Sequence, residues 1–89
     1  MSNRVEFVWL DQAKFGGREV DRILVSSTNL RSVGYDPEAL LLEIEFLDGA
    51  VYQYFSVPPA VYQDLMAAGS KGSFLAEHVR KRYRYRRLP

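Results

Sequence analysis

The sequence predicts an α+β domain, in which an antiparallel meander sheet of three to four strands is packed by two C-terminal helices. Three observations support this prediction. Apolar residues alternate with glutamates over residues 42–46, a hairpin signal follows at residues 48–49, and helical spacing begins only after the proline pair at residues 58–59. Strands that precede the helices, rather than alternating with them, indicate the α+β class.

The first strands follow from this alternation and from the turns between them. Residues 29–35 fit a strand that ends at the turn signal of residues 36–38. Residues 40–47 form the next predicted strand, because their period of two is typical of a half-buried strand. Residues 51–55 form the return strand after Asp48-Gly49. Short turns between the three strands make an antiparallel meander.

The loop length at the second hairpin decides where Tyr52 and Tyr54 point. With a two-residue loop, Glu45 faces Tyr52, and the tyrosines look toward solvent or a partner. With a three-residue loop that ends in a glycine bulge, Ile44 faces Tyr52, and the tyrosines join the core. We favour the three-residue loop because it gives the cleaner alternation on the preceding strand.

Two helices are predicted after the prolines, since proline suits the first helical turn. The first runs to about Ala68 and has Gly69 as its C-cap. The second is capped by Ser70 or Ser73, runs to about Arg82, and buries one stripe. The stripe consists of Phe74, Leu75, His78 and Val79. Residues 83–86 then alternate again, which predicts a short strand or an extended tail.

Residues 1–25 are predicted to be an N-terminal extension to a domain at residues 26–89. Residues 4–10 (RVEFVWL) are rich in β-forming residues and predict a strand, which the glycine pair at residues 16–17 ends. Residues 18–25 fit either a helix or a strand. The apolar strand at residues 5–10 makes self-association or a protein–protein interaction the alternative function.

Composition excludes several functions. Eighty-nine residues suffice for one domain, and the absence of cysteine excludes disulfides and cysteine-ligated metal sites. The single histidine, His78, cannot form a histidine pair for a metal. It is expected to be a partly buried helix residue, because histidine is intermediate in burial. We expect no cofactor, no metal and no catalytic activity, because no nucleophile–base or metal-ligating set of residues occurs. We also expect no membrane contact, since no run of about 18 apolar residues occurs. The lack of a signal-peptide pattern predicts a cytoplasmic location.

The net charge of +1 divides unevenly along the chain. Residues 1–79 carry six basic and eleven acidic residues, a net charge of −5, whereas residues 80–89 carry six cations and no acid. A basic C-terminal segment that alternates with tyrosine suits single-stranded nucleic acid, since arginine binds phosphate and aromatic rings stack on bases. The predicted binding residues are Lys71, Arg80, Arg82, Tyr83, Arg84, Tyr85, Arg86 and Arg87, with Tyr52 and Tyr54 as further stacking residues.

Two other interpretations of these cations stay open. The basic tail can fold back and neutralise Glu43 and Glu45, or it can be a solubilising end. Lys71 lies in a Ser-Lys-Gly-Ser segment just before a helix, where backbone N–H groups favour anions, and Arg80 is its expected partner. A plain helix cap explains that segment more simply.

A set of short motifs runs in order, at near-constant spacing, through residues 26–88. They are Val33-Gly34-Tyr35-Asp36, residues 42–46 with Gly49, Tyr52-Gln53-Tyr54, Val57-Pro58, Tyr62, Ser70-Lys71-Gly72 with Phe74, and residues 79–83. Together they resemble the KTSC domain, which is found at the C-terminus of some lysyl-tRNA synthetases and as stand-alone small bacterial proteins. The resemblance implies RNA binding, by association with the synthetase rather than by a known mechanism.

Overall fold

The computed structural model describes residues 20–89, which form one five-stranded antiparallel sheet and two helices. The elements are β1 (Arg22–Leu24), β2 (Leu30–Asp36), β3 (Leu41–Phe46), β4 (Val51–Tyr54), α1 (Pro59–Ala67), α2 (Lys71–His78) and β5 (Tyr85–Arg87), and the strands lie in the order β1-β2-β3-β4-β5. The predicted α+β class is confirmed. The sheet is wider than the predicted meander because β1 and β5 pair with its two outer strands.

Within the segment of residues 18–25, for which helix and strand were both predicted, residues 22–24 form a strand, and residues 18–19 lie outside the described residues. Arg22 pairs with Gly34 and Leu24 pairs with Ser32, so β1 belongs to the sheet although it falls within the predicted extension of residues 1–25. The predicted strand at residues 4–10 lies outside the described residues.

The β3–β4 hairpin has the three-residue loop. The Phe46 N–H donates to the Ala50 carbonyl over 2.8 Å, and Gly49 adopts φ 96°, a left-handed conformation that suits glycine. Ile44 therefore lies opposite Tyr52, and Leu42 lies opposite Tyr54. The predicted register is confirmed, and both tyrosines point to the side of the sheet that carries the helices.

The core lies between that side of the sheet and the helices. It is one cluster of buried side chains. Each fully buried aliphatic side chain contributes roughly 1.5–3 kcal/mol to the stability of the fold, so this cluster provides the main driving force for folding. Its members are Leu30, Val33, Leu42, Ile44, Tyr54, Val57, Leu65, Leu75 and Val79.

Helix α1 begins as predicted, with Pro58 at the N-cap and Pro59 in the first turn. It buries Leu65, and its Tyr62 ring stacks on the Tyr35 ring at a centroid distance of 4.9 Å. Its predicted glycine cap is wrong. The helix ends at an Ala68 C-cap in extended conformation, whose N–H donates to the Leu65 carbonyl, so no left-handed residue is needed.

Helix α2 begins at the predicted cap, because the Ser70 hydroxyl accepts the Ser73 N–H over 3.3 Å. It ends at His78, four residues before the predicted end at Arg82. The Arg80 N–H donates to the Leu75 carbonyl over 2.9 Å, and the chain then turns so that β5 can pair with β4. The prediction failed because this pairing outweighs local helix propensity.

The predicted buried stripe of α2 holds in part. Leu75 and Val79 are buried, and Phe74 packs against the core. His78 is exposed instead of partly buried, and its ring lies 4.7 Å from the Phe74 ring. Within residues 20–89, neither helix is long and apolar enough to cross a lipid bilayer.

Candidate nucleic-acid interface

The pairing of β4 with β5 brings three tyrosines together. Tyr54 lies opposite Tyr85, and Tyr52 lies opposite Arg87, so alternate residues of the two strands share the helix-bearing side of the sheet. The Tyr85 ring centroid lies 5.7 Å from that of Tyr52 and 5.8 Å from that of Tyr54. The Phe46 ring meets Tyr52 edge to face at 5.6 Å. These spacings are typical of favourable aromatic contacts.

These tyrosines form the floor of an open groove with a volume of about 800 Å³, which we call the tyrosine groove. The core buries Tyr54 almost fully, whereas Tyr85 is 57% exposed. Tyr54 therefore anchors the floor, and Tyr85 presents an accessible ring to the groove.

Three cations line the tyrosine groove. Arg87 reaches it from β5, with its guanidinium carbon 6.0 Å from the Tyr52 ring centroid, at the outer limit of a cation–π contact. Arg80 and Lys81 reach it from the turn after α2. The early end of α2 matters here, since it places both residues in the turn that faces the sheet.

The rest of the lining combines three apolar residues, Leu47, Ala50 and Ala76, with a polar wall that carries one acid. Thr28 and Asn29 contribute to it from the β1–β2 connection, and Asp48 contributes from the β3–β4 loop. The Asp48 Oδ1 accepts the Ala50 N–H over 3.0 Å, which fixes the carboxylate on the turn. The tyrosine groove thus has cations and an acid among its lining residues, with aromatic rings as its floor.

The pKa of the Tyr54 hydroxyl depends on its burial and on the charged groups around it. Burial is the main cause that raises the pKa of Tyr54 to about 12, the positive charge of Arg80 opposes the rise, and Tyr52 and Tyr85 add to it. The phenol is therefore neutral at physiological pH. Arg80 and Tyr54 both line the groove, which agrees with this opposing effect.

Half of the predicted binding residues meet at this groove. Tyr52, Tyr54, Arg80, Tyr85 and Arg87 line it. The two residues predicted as partners in anion binding do not meet, because Lys71 begins α2 and Arg80 follows its end, so that the length of the helix, about 12 Å, separates them. The Lys71 ammonium instead donates to the Ala68 carbonyl over 3.2 Å and bridges the connection between the helices.

The other predicted residues lie elsewhere. Arg86 pairs with Gln53 in the sheet, so its side chain leaves from the side away from the helices. Tyr83 is half-buried and packs against the core. Arg82 and Arg84 are exposed and do not line the tyrosine groove.

Sequence reasoning missed Lys81, Asn29 and Asp48 as groove residues. Lys81 was assigned to the end of a helix, and only the observed end of α2 at His78 releases it from that role. No sequence signal connects Asn29 and Asp48, which are 19 positions apart. Their proximity follows from β2–β3 pairing, in which the Leu47 N–H donates to the Asn29 carbonyl over 2.9 Å.

The acidic strand face is neutralised by the sheet's own arginines. The Arg22 guanidinium lies 2.6 Å from the Glu43 carboxylate, and Arg31 lies 3.8 Å from that of Glu45. Glu45 also accepts a hydrogen bond from the Ser32 hydroxyl over 2.8 Å. Arginines of β1 and β2 thus contact both carboxylates, and Arg86 of β5 lies in the same row as Glu43, on the same side of the sheet. Among residues 20–89, no three histidine or acidic side chains are grouped so as to hold a metal ion.

Comparisons with known proteins agree with this fold. A crystal structure of a KTSC domain protein from Yersinia pestis covers 80% of this chain and 100% of its own, with 38% identity and a TM-score of 0.75. An uncharacterized protein from Stutzerimonas stutzeri is 46% identical over 68 residues, which make up 96% of that relative.

A larger relative carries the same kind of domain. The lysine–tRNA ligase of Nostoc punctiforme is 36% identical over 59 residues, which are 66% of this chain and 10% of the ligase. Residues 26–83 match the KTSC domain family, and these residues hold most of the motifs on which the resemblance was based. The chain therefore belongs to the KTSC domain family.

Proposed function

We propose that this domain binds single-stranded nucleic acid, RNA above all, in the tyrosine groove, without catalysing a reaction. The observation that carries the proposal is the convergence of Tyr52, Tyr54 and Tyr85 with Arg80 and Arg87 on one groove. Surfaces that bind single-stranded nucleic acid combine two components, aromatic rings and cations.

Each component has a separate task. An accessible ring such as that of Tyr85 stacks on an unpaired base and contributes roughly 1–3 kcal/mol, whichever base is bound. Arginine donates two parallel hydrogen bonds to phosphate, and Lys81 adds a point charge. A duplex would present its bases already stacked, so the floor of the groove favours unpaired strands.

The position of the cations supports the proposal more strongly than their number. The net charge of +6 over residues 80–89 is consistent with non-specific attraction, but only part of it faces the tyrosine groove. Glu43 and Glu45 have Arg22 and Arg31 as partners, and Arg80 and Arg87 line the groove on the other side of the sheet. The similarity to part of a lysine–tRNA ligase fits RNA as the ligand, and a cytoplasmic location fits as well.

A salt titration tests the proposal. Binding of a labelled single-stranded RNA, a DNA of the same sequence and an RNA duplex is measured by fluorescence anisotropy from low to moderate salt. We expect the single strands to bind more tightly than the duplex. We also expect log K to fall linearly with the logarithm of the salt concentration, with a slope of about −0.7 for each phosphate contacted. Equal or tighter duplex binding, or no binding at low salt, would contradict the proposal.

A protein–protein interaction is the second candidate, and an exposed apolar edge favours it. Within the described sheet β1 is an outer strand, and its Ile23 and Leu24 are 54% and 79% exposed. The predicted interacting strand at residues 5–10 lies outside the described residues. Sedimentation of the full chain and of a variant lacking residues 1–10 tests this function. A monomer in both cases would contradict self-association.

A further inference from the structure

We infer that the tyrosine groove prefers guanine among the bases, because the Asp48 carboxylate lies on its polar wall. This inference rests on the proposed binding of single-stranded nucleic acid and names the base that the groove selects. Stacking on tyrosine does not distinguish bases, and phosphate contacts carry no sequence information. Any preference must therefore come from the polar groups that line the groove.

The charges of the lining residues define how a nucleotide can lie. A nucleotide carries its negative charge on the phosphate, which suits Arg80, Lys81 and Arg87. The same phosphate is repelled by the Asp48 carboxylate. A bound nucleotide therefore directs its phosphate toward the cations, its ring toward the tyrosines, and the edge of its base toward Asp48.

Hydrogen-bonding chemistry then selects the base. An ionised carboxylate only accepts hydrogen bonds, and its two oxygens suit two adjacent donors. Guanine carries such a pair on its Watson–Crick edge, at N1–H and the exocyclic amino group. Uracil offers a single N3–H flanked by carbonyl oxygens, which repel a carboxylate. Adenine and cytosine place an acceptor nitrogen beside their amino group.

The structure leaves Asp48 able to accept these bonds. Its Oδ1 accepts the Ala50 N–H, which holds the carboxylate in place, and each oxygen has two lone pairs. Asn29 lies on the same wall, with its Oδ1 accepting the Thr28 hydroxyl over 2.9 Å. In that orientation its amino group is available as a donor to guanine O6.

The test uses four RNA octamers of uridine that differ only at one central position. That position is guanosine, adenosine, cytidine or uridine. We expect the octamer with guanosine to bind about tenfold more tightly than the others, a ratio that one good bidentate contact provides. The variant Asp48→Asn removes one acceptor but keeps the amide oxygen for the Ala50 N–H, and asparagine also suits this turn. We expect it to reduce the ratio to below threefold.

The matched control is Asp64→Asn, which makes the same charge change on the exposed surface of α1. It should retain the tenfold ratio. Equal affinities for the four octamers in the unaltered chain would overturn the guanine preference and leave the proposed function standing. A tenfold ratio that survives Asp48→Asn would overturn the inference that the Asp48 carboxylate selects the base, and would also leave the proposed function standing. Failure to bind any of the octamers at low salt would overturn both.

Discussion

The Arg22 guanidinium crosses strand β2 at Gly34 and lies 2.6 Å from the carboxylate of Glu43 on β3. Arg22, Gly34, Glu43 and Gln53 are successive partners in one row across the sheet. The missing side chain at Gly34 is what allows an arginine on β1 to reach a glutamate two strands away. The Gln53 amide also donates to Glu43 over 2.8 Å, so this nearly buried carboxylate is bound from both sides.

The first prediction concerns this ion pair. Arg22→Ala should lower the free energy of unfolding by about 2 kcal/mol, because it leaves the Glu43 charge in a buried position with one neutral donor. Arg31→Ala is the control, since its side chain is 52% exposed and its distance to Glu45 is 3.8 Å. That variant should lose about 0.5 kcal/mol or less. Urea denaturation measures both, and equal losses would contradict the prediction.

The second prediction concerns the crossing point. A Cβ atom at Gly34 would overlap the Asp21 carbonyl oxygen and come within 2.8 Å of the Arg22 side chain, so Gly34→Ala must displace the start of β1. We expect a loss of about 2 kcal/mol in urea denaturation, in the range of overpacking substitutions. Gly69→Ala is the control, because nothing lies within 4 Å of its added Cβ. It should be neutral or stabilise by up to about 1 kcal/mol, and a larger loss than at Gly34 would contradict the argument.

The sequence predicted the elements whose signals are local. The alternation of apolar residues and glutamates in β3, the glycine in the β3–β4 loop and the prolines before α1 act within a few residues of one another. The resulting hairpin register placed Tyr52 and Tyr54 on the correct side of the sheet.

The candidate site depends on contacts that no local signal records. The early end of α2 at His78 follows from the pairing of β5 with β4, and the joining of Asn29 to Asp48 follows from β2–β3 pairing. Composition therefore identified the basic segment, whereas the tertiary structure decides which of its cations share a groove with the tyrosines. The alternation along β5 separates Arg87 from Arg86, but only the pairing of β5 with β4 decides which of the two faces the tyrosines.

The third prediction separates the tyrosine groove from a merely basic tail. Replacing Arg80 and Arg87 with serine should weaken single-stranded RNA binding and lower the slope of log K against log salt by about 1.4, if each arginine contacts one phosphate. The variant with serine at Arg82 and Arg84 carries the same charge change in the same segment, but those residues lie outside the groove lining. Its slope should change by less than half as much. Equal effects would indicate non-specific attraction instead.

The fourth prediction concerns stacking on Tyr85. Its ring is 57% exposed, so Tyr85→Ala should weaken RNA binding by roughly tenfold, within the range of base stacking, while changing stability little. Tyr85→Phe keeps the ring and should retain most of the affinity. Anisotropy titrations at a fixed salt concentration measure both variants. An equal loss in both would assign the effect to the hydroxyl group rather than to stacking.

The fifth prediction follows from the buried phenol of Tyr54, whose pKa rises from 10.0 to about 12, mainly because burial disfavours the charged form. Above pH 10 the unfolded chain loses this proton while the folded chain keeps it. Stability is therefore complete below pH 10 and declines as the pH approaches 12, by on the order of 2 kcal/mol for this group. Urea denaturation at pH 9, 10 and 11 measures the decline.

The matched variant for this decline is Tyr54→Phe, which keeps the ring in the core and removes the titrating group. The pKa of Tyr35 is also raised, by burial and by the charge of Asp36, so the variant should lose only part of the decline with pH. The difference in unfolding free energy between the two chains should be constant below pH 9 and shift in favour of Tyr54→Phe above pH 10. A difference that stays constant to pH 11 would show that the Tyr54 hydroxyl titrates alike in the folded and unfolded chains, and that burial does not hold its proton.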